Sequence, residues 1–76
     1  MRSKMPKNKI PKAVGQRIRA LREKQGLSQE LLAARCGYHR TYVGMVERAE
    51  KSISVLALSK FAKALHTTMS SILEGL

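Results

Sequence analysis

The chain has 76 residues, enough for one small domain that buries only roughly 60% of the surface it exposes unfolded, so self-association would help it. Fifteen lysines and arginines stand against five acids, all glutamate, for a net charge of +10, an excess that serves solubility or a polyanionic partner. The lone Cys36 excludes an intrachain disulfide and suits a reducing, cytoplasmic location, no apolar run approaches the ~20 residues of a membrane span, and the lack of any aspartate and of a Cys/His metal set argues against an enzyme, a metal and a cofactor.

Residues 1–9 hold Pro6, many charges and almost nothing to bury. They read as a disordered basic arm, either a solubilising tail or a strand that follows phosphates or a minor groove. The arm is basic like a signal peptide, but no apolar core follows it. Ile10, Val14, Ile18 and Leu21 then recur at spacings of four, four and three, one stripe of a helix. Pro11 fits its first turn and Gly26 its left-handed end. Arg17, Arg19, Arg22 and Lys24 form its polar face, solvated or near phosphate.

Ser28 to Glu47 reads as a short helix, a tight turn at Gly37 and a second helix. Ser28 is the N-cap, Glu30 sits where the helix dipole favours an acid, and Leu27 can staple onto Leu32. Leu31, Leu32, Ala33 and Cys36 recur at helical spacing. Gln29 is the outward polar residue of the first turn, either solvated or holding a phosphate oxygen. After the turn, a helix from about His39 to Arg48 faces Val43 and Val46 inward. Its outer face carries Arg40, Thr41, Gly44, Met45 and Arg48, with no acid, and on so cationic a chain that face points to nucleic acid. A mid-helix glycine costs about 1 kcal/mol relative to alanine. Close approach of a DNA strand would explain Gly44, and so would tolerance in a surface helix.

Residues 49–52 form a polar loop. Ser54 caps a fourth helix with Val55, Leu58, Phe61, Ala62 and Leu65 inward and Lys60 and Lys63 outward. Thr68 caps a last short helix bearing Met69, Ile72 and Leu73, with Leu76 beyond it. That is more apolar surface than one small turn can hide, so part of it is expected at a dimer contact: Met69, Leu73 and Leu76, with Leu56 or Phe61. The expectation is an all-α fold, a compact bundle of about five short helices over residues 10–76. The helix-turn-helix spans 28–48 and the dimerisation region 54–76.

The words GQRIRALREKQGLSQELLA (residues 15–33), the Cys36-Gly37 turn, TYVGMVER (41–48), IS and KFAKAL carry a resemblance. Together, over about residues 13–74, the chain resembles the lambda-repressor-like helix-turn-helix domains of phage-repressor and Cro type, also called Xre-like. His39 to Arg48 is similar, further, to the small controller proteins of restriction–modification systems. Two departures stand out: many relatives have glycine where Ala49 and His66 stand, so both are expected at helix ends with positive φ. Met45 replaces the usual polar residue of the recognition helix.

The resemblance implies that the third helix enters the major groove. Its base readers would be His39, Arg40, Thr41 and Met45, with Arg40 matching guanine O6 and N7. Thr41 is open to a thymine methyl or a phosphate, and His39 to a phosphate, a base or plain capping. Gln29, Arg48, Lys51 and Ser52 would hold phosphates, while Tyr42 is either a phosphate contact or a half-buried core residue. Arg22 and Glu47 match an ion pair that fixes the recognition helix. The implied function is a homodimeric, sequence-specific regulator on double-stranded DNA with a near-palindromic operator. It would control restriction–modification genes and its own promoter, touching RNA polymerase if it activates. The alternative is an antitoxin-like or phage-type repressor whose main partner is a co-encoded protein. No membrane partner is expected.

Overall fold

The computed structural model describes residues 9–76. Five helices and no strand occur among them: α1 (Lys9–Lys24), α2 (Gln29–Cys36), α3 (Arg40–Glu47), α4 (Val55–Ala64) and α5 (Met69–Leu73). The expected arm at residues 1–9 lies outside the described residues except for Lys9, which already belongs to α1. Local sequence sets most of the boundaries. The side-chain oxygens of Ser28, Ser54 and Thr68 each accept from a backbone N–H three residues on, at Leu31, Ala57 and Ser71, all at 3.0 Å. Gly26 and Gly37 take the left-handed conformation after α1 and α2, with φ of 70° and 77°.

All five helices share one core. Phe61, Ile18, Leu32, Leu65, Ile72 and Val43 are its largest fully buried side chains. Tyr38 and Tyr42 lean on Phe61, with ring centroids 5.9 and 6.3 Å away. Phe61 is therefore core, and it is withdrawn from the expected dimer contact because no part of it reaches solvent. One inward assignment also fails, since Val55 is 74% exposed, and Leu31 of the helically spaced set in α2 stands 44% exposed. The buried stripe of α4 is Ala57, Leu58, Phe61, Ala62 and Leu65, and at about 100° per residue Val55 falls to its side.

The long α1 does more than bury a stripe. Just past its last residue the Gln25 amide donates to the Leu65 carbonyl at 2.8 Å, and Arg17 within it donates to the carbonyls of Ile72 and Glu74 at 2.8 and 2.6 Å. One helix thus satisfies the open C-terminal ends of α4 and α5. Arg17 is a structural residue, not part of a solvated face.

Ala49 and His66 follow α3 and α4 at φ 59° and 56°, the left-handed region where glycine is at ease. Ala49→Gly should raise stability by about 1 kcal/mol, and thermal unfolding followed by circular dichroism should show a midpoint about 4–8 °C higher. No helix among the described residues is long and apolar enough to cross a membrane, and no cluster of potential metal ligands occurs among them.

Candidate nucleic-acid interface

The chain after Gly37 is helical, and the first turn of α3 stands in solvent, with Arg40 and Thr41 exposed and Met45 half-buried. His39 caps this helix: its Nδ1 accepts the Thr41 N–H at 3.0 Å. The Nδ1 lone pair is therefore occupied, which leaves Nε2 to meet a ligand. The outer face of α3 carries no acid of its own, yet two glutamates reach its ends from other segments. Glu30 of α2 lies 3.3 Å from Arg40 Nη1. Glu50 of the following loop accepts both arms of Arg48, at 2.9 and 3.2 Å. The Arg48 fork holds the Glu50 carboxyl below its usual range, and the carboxylate in turn raises Arg48. A carboxyl with a depressed pKa keeps its pairing above its ordinary value and loses it as pH falls through the depressed one. In an NMR titration Glu50 should titrate below an ordinary glutamate, and Arg48→Ala should bring it back up.

The remaining predicted contacts divide. Lys51 and Ser52 are exposed in the α3–α4 loop. Gln29 is partly buried and spends one amide N–H on Glu47, at 3.0 Å. The Tyr42 ring packs against Tyr38, with centroids 4.8 Å apart, and burial pushes its hydroxyl pKa up, so the half-buried reading describes it better than a free phosphate hand. Gly44 is not required by the neighbouring backbone, because an added Cβ would meet the far end of Arg48 at 3.0 Å.

Behind this face lies a buried ion pair. Arg22 of α1 grips Glu47, the last residue of α3, through Nε at 2.7 Å and Nη2 at 3.1 Å. Arg22 also donates through Nη1 to the Leu27 carbonyl at 2.8 Å, and the hydrogen bond to Glu47 raises its pKa further. Gly15, two turns earlier on the same face of α1, lies so close to α3 that an added Cβ would meet the Val46 and Glu47 carbonyls. Sequence reasoning missed Gly15, Glu30 and Glu50 as determinants of this region; only the Arg48–Glu50 spacing carried a local signal.

A family model described as helix-turn-helix matches residues 18–72. The chain belongs to the helix-turn-helix family. Control protein C.SmaI of Serratia marcescens is 41% identical over 64 residues, 84% of this chain and 76% of that protein. The crystal structure of the restriction-modification controller protein C.AhdI from Aeromonas hydrophila matches with a TM-score of 0.79 at 42% identity, covering 82% of this chain and 94% of that one. The P22 c2 repressor, solved in complex with a synthetic operator, matches at a TM-score of 0.75 and 30% identity, covering 83% of this chain and 96% of that one. By name these relatives are regulators, not enzymes. Within the matched span, Gly37 turns the chain between α2 and α3. The aim of α3 is set by a grip on each end, the His39 cap in front and the Arg22–Glu47 pair behind.

Proposed function

We propose that the chain acts as a homodimer on a near-palindromic double-stranded operator, controlling restriction–modification genes and its own promoter. The observation that carries this reading is the placement of Arg40 and Thr41, exposed on the first turn of a helix whose opposite end is pinned to the core. The kinship to controller proteins and to a repressor solved with operator DNA supports it.

In the major groove, Arg40 exchanges Glu30 for the O6 and N7 of guanine, a contact that discriminates by about 1–3 kcal/mol. Thr41 and Met45 offer methyl groups to thymine, and His39 offers Nε2. Arg48 leaves Glu50 for a phosphate, with Gln29, Lys51 and Ser52 beside it on the backbone.

Ile10, Val55 and Leu73 are exposed and line an apolar cleft of about 320 Å³ together with Pro11 and Ile53. This face, with Leu56 and the partly buried Met69 and Leu76, is the proposed dimer contact. Val55 and Ile10 take the place that Phe61 was expected to fill. Two copies joined there would set their α3 helices roughly 34 Å apart, one turn of DNA.

The test begins with duplexes selected from a random pool by the protein itself, followed by gel-shift titration against a scrambled duplex at physiological salt. Arg40→Ala should weaken the selected duplex about tenfold or more and leave the scrambled one little changed, whereas Arg48→Ala should weaken both alike. Equal affinity of the parent protein for both duplexes would reject specific readout.

A further inference from the structure

A second cationic surface lies off the reading face. Arg35 in the last turn of α2 and Lys60 and Lys63 on α4 line one cleft of about 290 Å³, with Cys36 and Ala64 between them. All three cations are exposed. None of them belongs to an ion pair among the described residues, whereas Arg40 and Arg48 each hold a glutamate. The Lys60 ammonium sits 5.2 Å from the centre of the Tyr38 ring, which fixes its stem beside the cleft. We propose that this cleft docks an acidic, leucine-bearing segment of a partner protein, its carboxylates between the three cations.

The flank of α2 argues for a protein rather than a duplex. Glu30 reaches across to Arg40 at the head of α3. Arg35 stands five residues further on, about 140° round the same helix. A stiff duplex seated on Arg40 and Thr41 is not presented to a flank turned that far away. Leu31 stands one turn before Arg35 on that flank and is 44% exposed. DNA phosphates make no use of a leucine, while a protein segment that mixes acids with apolar residues uses both. A second copy of the chain belongs elsewhere in the proposed dimer, on the apolar cleft of Ile10, Val55 and Leu73, which shares no residue with this one.

The test is fluorescence anisotropy with the full chain and a fluorescein-labelled peptide in which glutamates alternate with leucines. The triple variant Arg35→Ala/Lys60→Ala/Lys63→Ala should bind the peptide about tenfold more weakly than the parent. A triple variant that removes the same charge elsewhere, Lys9→Ala/Lys12→Ala/Lys24→Ala, should change it by about twofold at most. Leu31→Ser, which alters no charge, should also weaken the peptide. These arms do not depend on the DNA reading. A parallel gel shift on the selected duplex should show the cleft triple binding DNA as the parent does. Equal peptide losses in the two triples would overturn the proposal in favour of diffuse cationic attraction. A loss of DNA affinity in the cleft triple as large as its loss of peptide would make the cleft a duplex contact instead.

Discussion

Gly15→Ala should lower the stability of the fold by about 3 kcal/mol, and the thermal midpoint by about 12 °C or more. The added methyl would fall on the Val46 carbonyl oxygen, well inside van der Waals contact, and 2.8 Å from that of Glu47. Both are backbone atoms in the last turn of α3, so no rotamer change makes room. The remedy left is to lift α1 off α3. That movement also stretches the Arg22–Glu47 grip, since Arg22 lies two turns further along α1. Any protein that still folds should therefore aim α3 badly and, if the proposed reading holds, bind its selected duplex more weakly. Gly44→Ala is the matched control. Its methyl would meet only a guanidinium end at 3.0 Å, which can swing away, so the helix should gain about 1 kcal/mol. If Gly44→Ala stabilises the free protein yet weakens DNA binding, the missing side chain makes space for the duplex. Circular dichroism melts decide the first part, and a Gly15→Ala midpoint within a few degrees of the parent would sink it.

That contrast shows what could be read along the chain and what could not. Ser28, Ser54, Thr68, Gly26 and Gly37 act on backbone within a few residues, so their roles as helix ends were legible one turn at a time. The same is true of the strained Ala49 and His66, once the resemblance marked where relatives carry glycine. Gly15 looked like any small residue of an amphipathic helix, because its reason lies 31 positions away in the crossing of α3. Arg17 read as part of a face solvated or near phosphate, and nothing local marked Gln25 as a donor, because the carbonyls they satisfy lie at the ends of α5 and α4. Periodicity found the core stripe of α4, Phe61 included, but could not phase its edge, so it placed Val55 inside. On the candidate site, the exposure of Arg40 and Thr41 followed from the helical period, while the glutamates that flank them came from segments the period says nothing about.

Removing one member of the Arg22–Glu47 pair should damage the protein more than removing both. The Glu47 side chain is 2% exposed and accepts from Arg22 Nε, Arg22 Nη2 and the Gln29 amide. Arg22→Ala would leave that carboxylate in the core with Gln29 as its remaining donor among these contacts, and the loss should be about 3–5 kcal/mol. Glu47→Ala should cost less. The Arg22 side chain is already 11% exposed beside Glu47, and its guanidinium would keep the Leu27 carbonyl, now at 2.8 Å, and Glu23, now at 3.9 Å. The double variant Arg22→Met/Glu47→Leu fills a similar volume without buried charge, and urea unfolding should place it near the parent or above it. Stability restored in this way need not restore function. The pair is a two-point fork that fixes the rotation of α3 about its own axis, and apolar packing in its place has no such direction. The double variant should therefore fold well yet discriminate less sharply between the selected and scrambled duplexes. A double variant as unstable as Arg22→Ala would show that the pair contributes stability outright. A double variant with undiminished discrimination would show that packing alone orients α3.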